Sequence, residues 1–253
     1  MAAPRSALLV AHPGHELLLH GWLHAERPHV FVLTDGSGRD GASRLDATTR
    51  LLERAGAACG AIYGRYPDRV VYEALLDGDT ALFVDLAKEI AKSLAGEDIE
   101  RVVGDAAEGW NPIHDAFRLT VEAAAALASR ERGHALAVYD FALFGPPHAG
   151  EEGALPFPID AAGRAAKRAA ALAYTELDRE VRFSIERYGE DAYTTEWLRP
   201  SPLAAGEYRV EDPPVYERYG EFLARSGQIE RAIRCREHLL PVASALGAAV
   251  GQR

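Results

Sequence analysis

The chain has little cysteine, no long apolar run and no basic cluster, and each shortage removes a class of protein. Cys59 and Cys235 are the only cysteines in 253 residues, whereas a disulfide-stapled secreted scaffold needs several pairs. Both are expected to be reduced and buried, as in a cytoplasmic protein. No stretch approaches the ~18 consecutive apolar residues of a membrane span. Met1-Ala2-Ala3-Pro4-Arg5 leads directly into an apolar segment, without the hydrophobic core and cleavage site of a signal peptide. The expectation is a soluble, cytoplasmic protein. Acidic groups outnumber basic ones, 38 against 28, for a formal net charge of −10. With no Lys/Arg run to offset that charge, nucleic acid and anionic membrane are not expected partners. There is no internal repeat, and no low-complexity tract beyond alanine-rich helical segments.

What is present is alternation. Short apolar runs at 6–11, 30–33, 61–63, 101–103 and 136–139 read as strands. Between them, 16–26, 44–55, 80–94 and 116–128 carry apolar residues at helical spacing. About five strand–helix repeats predict an α/β fold with a doubly wound, mostly parallel sheet, because parallel strands need helical crossovers. Beyond it, 144–157 is rich in Gly and Pro and reads as a rim loop, and 161–187 as one long helix. Residues 197–214 hold four prolines and read as irregular, and 216–223 with 229–243 as a terminal helical pair. This divides the chain into an α/β metal-binding domain, 1–190, and a C-terminal segment, 191–253, packed on the same domain. The aromatic residues of that segment suit a lid or a contact in a homo-oligomer equally.

The chemistry concentrates at strand ends. His12-Pro13-Gly14-His15-Glu16 follows the first apolar run, and Asn111-Pro112-Ile113-His114-Asp115 follows the fourth. Carboxyl ends of parallel strands are where such sheets bind ligands. His12, His15 and His114 can meet there, and three nitrogen ligands with an open position are the layout of a catalytic zinc. The plainer alternative is a satisfied core histidine, a helix-terminal histidine and an Asp115 that merely caps its helix. His20 and His24 share a helix face and suit solvent better than metal. His15 and His20, five residues apart, lie roughly 140° apart around a helix, so no zincin motif is present. Asp35-Gly36-Ser37-Gly38-Arg39 ends the second strand. Asp35, Arg39 and Arg44 are candidates there for a hydroxylated or anionic substrate, though a simple turn explains the segment equally.

Together these motifs resemble the PIG-L/LmbE family of zinc-dependent N-deacetylases, over about residues 6–190. The family's A-H-P-D-D-E stands here as Ala11-His12-Pro13-Gly14-His15-Glu16, and its H-P-D-H as Asn111-Pro112-Ile113-His114. The resemblance implies a Rossmann-like fold, one zinc per chain and hydrolysis of an N-acyl amino sugar or similar small glycoconjugate. It makes His12 and His114 metal ligands, with His15 in the place of a ligand aspartate. Gly14 replaces the family's general base, Asn111 its transition-state histidine and Ile113 that histidine's aspartate partner. A third imidazole in place of a carboxylate adds one unit of positive charge, which favours hydroxide at a water of pKa about 7. Glu16 and Asp115 are the candidates for the missing proton transfer, with Asn111 lining the substrate side. His148 in the rim loop is a further candidate that plain surface explains as well. A second reading is a catalytically silent metal- or sugar-binding protein, and a third has purely structural histidines.

Overall fold

The computed structural model describes residues 5–38, 41–144, 153–189 and 195–251. Five strands, β1 (Ser6–Val10), β2 (His29–Thr34), β3 (Ala58–Tyr66), β4 (Arg101–Asp105) and β5 (Ala137–Phe141), run parallel. Two more, β6 (Leu155–Pro158) and β7 (Thr195–Pro200), continue the sheet antiparallel, giving the order β3-β2-β1-β4-β5-β7-β6. The chain therefore winds one way from β1 to β3 and returns past β1 to build β4 and β5. The reversal opens a crevice between the carboxyl ends of β1 and β4, the place where such sheets bind ligands.

The central strands are apolar throughout because both sheet faces are covered. Leu9, Phe31 and Leu33 join a cluster with α4 (Thr80–Gly96), α5 (Pro112–Arg132) and α9 (Leu240–Val250). Leu8, Val10, Val30 and Val32 point the other way, onto α1 (His20–Glu26) and α2 (Leu45–Ala55). Asp79 caps α4 by accepting from the Leu82 N–H, and Phe83, Leu86, Ile90 and Leu94 form its buried stripe. Asn111 caps α5 and Pro112 opens it, where a missing N–H costs nothing. α5 is buried nearly all round in its first four turns because sheet, α4 and α9 enclose it.

Several elements differ from the sequence expectation. The segment 16–26 divides into a 3-10 turn, His15–Leu19, and the shorter α1. A helix not anticipated, α3 (Asp68–Leu76), follows β3. The long helix over 161–187 is instead α6 (Ala161–Ala173), a turn at Thr175–Leu177, and α7 (Asp178–Tyr188). It breaks at Tyr174, whose hydroxyl pairs with Thr48 and donates to the Arg44 carbonyl. β6 and β7 fall partly in segments expected to be irregular. The two prolines of β6 are tolerated because it is the sheet's edge. Over 229–243, a π-helical turn at Cys235–Leu239 precedes α9, which follows α8 (Val215–Arg225) in chain order. Cys59 is exposed, against expectation, because β3 is the opposite edge strand; Cys235 is buried, and both are free thiols. No helix among the described residues is long and apolar enough to cross a membrane.

Candidate metal centre

His12 leaves the end of β1, His15 opens the 3-10 turn behind it, and His114 lies in the first turn of α5. Their rings gather edge to face, with centroids 5.5 Å apart for His12–His15, 4.9 Å for His12–His114 and 4.6 Å for His15–His114. With Zn–N bonds near 2.0–2.1 Å, imidazoles tetrahedral about one zinc have centroids roughly 5 Å apart. The nitrogens, however, do not converge. Among the described residues no group of three or more His, Cys, Asp or Glu side chains is set out as a ready metal site.

Two carboxylates fix which lone pairs the rings present. Asp68, at the start of α3, accepts from His12 Nδ1 at 3.0 Å, and Asp105, at the end of β4, pairs with His15 Nδ1 at 2.8 Å. An ionised carboxylate only accepts, so each Nδ1 carries the proton and each Nε2 keeps a lone pair. His12 Nε2 is buried without a partner, and so is Asp105 Oδ1. Buried acceptors with no donor are costly, and a cation bound at His12 Nε2 would relieve one of them. Donor chemistry and ring spacing thus fit a divalent metal. Thr34 Oγ1 adds a contact to His12 Nδ1 at 2.7 Å, and the Ala11 N–H donates to Asp105 Oδ2 at 2.7 Å, tying the two strand ends together.

The electrostatics follow burial first. Burial lowers the pKa of His12 despite the Asp68 hydrogen bond, and it lowers that of His114 strongly, with the two other imidazoles adding to the effect. At His15 burial also disfavours protonation, but the Asp105 charge and hydrogen bond together outweigh it and raise the pKa. Burial works to raise Asp68 as well. The hydrogen bond and charge of His12, helped by the Gly38 N–H, prevail and hold it at about 2.

The candidate proton carriers are otherwise engaged. Glu16 is fully buried, with Oε2 accepting from the Gly14 N–H at 2.8 Å and Oε1 from Thr48 Oγ1 at 2.7 Å. Burial raises its pKa against those bonds. Asp115 is fully buried and accepts from the N–H groups of Glu108 and Gly109 and from the Tyr208 hydroxyl at 2.5 Å. Burial lifts it to about 6. Each clamps a segment beside a histidine: Glu16 the turn of Gly14, Asp115 the loop 106–110.

The substrate-side candidates are spread around this core. Asp35 Oδ1 accepts from the Ser37 N–H and locks the turn after β2. The Arg44 side chain packs over that turn against Gly36, and its charge reaches His15. Asn111 spends its Oδ1 on the Ile113 N–H. Ile113 is wholly core. Arg39 and His148 lie outside the described residues. His20 and His24 face each other on α1 at 4.5 Å, apart from the three-ring cluster. Burial, then the charges of His24 and Lys167, push His20 down to about 4. Sequence reasoning missed Asp68 and Asp105. Asp105 had a usable signal, a carboxylate ending an apolar strand; Asp68 lay on a helix that was not anticipated.

Gly14 sits in a conformation that favours glycine. Its backbone is left-handed, φ +105°, a conformation that L side chains rarely adopt. A Cβ on it would meet Leu177 Cδ1 at 2.2 Å and the Tyr174 ring at 3.5 Å. The turn between α6 and α7 therefore fills the space a side chain at position 14 would use.

Nearby, Glu108 Oε2 accepts from the N–H groups of Leu143 and Phe144 at 3.0 and 3.1 Å. Burial raises its pKa from the ordinary 4.5 to about 7, against those bonds. The native state therefore holds this proton more tightly than the unfolded chain. Its contribution to stability is fully present below about pH 4.5 and is lost as pH rises through 7. Glu108→Gln is expected to remove that component, on the order of 2–3 kcal/mol. Urea midpoints of parent and variant at pH 5 and pH 8 check it: the parent falls further across that interval. Parallel shifts of both proteins would count against it.

No protein-family profile and no curated protein matches this sequence. Solved structures share its fold. The zinc-inhibited form of the teicoplanin deacetylase Orf2 is 16% identical with a TM-score of 0.50, over 77% of this chain and 97% of that one. A deacetylase–bog complex from the teicoplanin biosynthesis pathway is 16% identical with a TM-score of 0.53, over 79% and 100%. A triple mutant of a deacetylase of the same pathway is 15% identical with a TM-score of 0.50, over 78% and 97%. At such identity the likeness shows a deacetylase-like α/β fold.

Proposed function

We propose that this chain is a zinc-dependent hydrolase of the N-deacetylase type, acting on an N-acyl amino sugar or a similar small glycoconjugate. The observation that carries the reading is the trio of imidazoles at the β1/β4 crevice, two of them held in the ligand tautomer by buried carboxylates. That the structural neighbours are deacetylases, one of them in a zinc-inhibited form, agrees with it. In this reading His12, His15 and His114 hold one zinc per chain. Held there, a zinc would supply Lewis-acid polarisation of the acyl carbonyl and lower the pKa of a water. Asp68 and Asp105 orient the ligand rings. Arg44 presents positive charge beside His15, suited to the negative charge that develops on the carbonyl oxygen. Asn111 and Asp35 belong to the substrate side, and Arg39, outside the described residues, stays a candidate from the sequence. Glu16 and Asp115 act as positioning residues, since their oxygens already accept hydrogen bonds.

A second reading, a silent binding protein, draws on one specific observation: Leu177 fills the space at Gly14. The two separate in a single experiment on protein purified without a histidine tag. Elemental analysis is expected to give about one zinc per chain. Acetate release from N-acetylglucosaminides is expected to vanish with chelator and return with zinc. Stoichiometric zinc without hydrolysis across a panel of amides and esters would establish the silent reading instead.

A further inference from the structure

Beside His114 the surface carries two aromatic rings that the catalytic reading leaves unused. Trp110 and Phe144 are 52% and 43% exposed, the cost of leaving large apolar side chains in water. They stack at 5.3 Å with planes 25° apart, and Phe144 in turn lies 6.1 Å from His114 with planes 18° apart. Three near-parallel rings thus lead from the buried cluster to solvent. Among the described residues the other exposed aromatics, Phe183, Tyr219 and Phe222, stand on α7 and α8 without a ring contact.

The backbones beneath the pair are clamped. Asp115 takes the N–H groups of Glu108 and Gly109, just before Trp110, and Glu108 takes that of Phe144. Tyr216 adds a bond from its N–H to the Gly109 carbonyl. The backbone at Phe144 and just before Trp110 is therefore held by buried or half-buried carboxylates, and the two rings rest on each other, which reduces the cost of ordering them under a ligand. Asn111 follows Trp110; its Oδ1 is engaged, and among the described residues its amide N–H groups have no acceptor.

We propose that Trp110 and Phe144 form a stacking shelf that selects substrates by the apolar face of a pyranose ring. The proposal rests on the hydrolase reading for the reaction, and it adds how the sugar is recognised. A pyranose offers one C–H face to an aromatic surface and hydroxyls at its edge, which matches two exposed rings beside an amide donor. A flat aryl group would use the rings and leave the amide unanswered.

The test uses two probes, methyl N-acetyl-β-glucosaminide and the acyclic N-acetylethanolamine. Binding is read by tryptophan fluorescence and saturation-transfer NMR, and turnover by acetate release. Trp22 is buried and Trp197 half-buried, so the signal is assigned to Trp110 by comparison with Trp110→Phe, which keeps a stacking ring. Trp110→Ala and Phe144→Ala are expected to weaken the glycoside, in Kd and KM, about tenfold or more. The acyclic probe is expected to be unchanged. Phe222→Ala, on the exposed face of α8, is expected to affect neither. Unchanged glycoside affinity in Trp110→Ala overturns the shelf, and so does an equal loss on both probes, which marks the rings as mere supports of His114. If no acetate forms but glycoside binding depends on Trp110, the hydrolase reading fails and the shelf stands. If acetate release is equal in parent and Trp110→Ala, the shelf fails and the hydrolase reading stands.

Discussion

His114→Ala is expected to lose zinc and, with it, all metal-dependent hydrolysis, while the fold persists. The structure gives His114 ring contacts with His12, His15 and Phe144, and no hydrogen-bonded partner among the described residues. Its removal therefore strands no buried donor or acceptor, unlike removal of His12, which would leave Asp68 without its imidazole. Replacing an outer carboxylate such as Asp68 by Asn is expected to weaken zinc by about 10–100-fold, and loss of a ligand itself should exceed that. Zinc content after gel filtration and the melting temperature are the two readouts. The expected pattern is metal near zero with Tm lowered by no more than about 5 °C, the scale of a one- to two-kcal/mol packing loss in a chain of this size. Full retention of zinc in His114→Ala would remove the three-histidine site.

Gly14→Asp, which places an aspartate where the resembling family has its base, is expected to destabilise the protein without raising its activity. At φ +105° a side chain costs about 1–2 kcal/mol in backbone strain. Its Cβ would also displace Leu177 Cδ1, 2.2 Å away, but that is the end of a half-buried flexible side chain, so overpacking adds no more than about 1 kcal/mol. The sum, about 1–3 kcal/mol, corresponds to a Tm lower by roughly 2–10 °C. Adding Leu177→Ala should recover the packing part and leave the backbone part. The two variants thus separate steric exclusion from strain by thermal melts alone. A Gly14→Asp protein that melts like the parent and hydrolyses faster would show that the turn after α6 is no obstacle.

Much of the fold was legible because the signals are local. The run Ala7-Leu8-Leu9-Val10 must be buried on both faces, and strands joined by helical segments must lie parallel. The start of α4 at Thr80 was readable, whereas α5 read as starting at 116 with Asp115 as its cap and in fact begins at Pro112 with Asn111 capping it. The edge of the sheet was less legible. Leu155-Pro156-Phe157-Pro158 reads as loop until an edge position makes its prolines harmless, and Cys59 reads as buried until β3 proves to be an edge. Tyr174 looked like one more helical residue, yet the helix ends there, where its hydroxyl reaches Thr48 and the Arg44 carbonyl.

The sequence by itself determined the alternation of the five parallel strands with most of their helices, the lack of a membrane-length apolar run, and the placing of His12, His15 and His114 at strand ends or helix starts. Those follow from periodicity and residue chemistry, which act over a few positions. Only the tertiary structure decided which groups surround them. Asp68 and Asp105, 56 and 90 residues from the histidines they hold, set the tautomers. Leu177, far along the chain, occupies the space at Gly14, and Phe144 brings a ring to His114. Such contacts depend on sheet order and helix packing, so no window of sequence contains them.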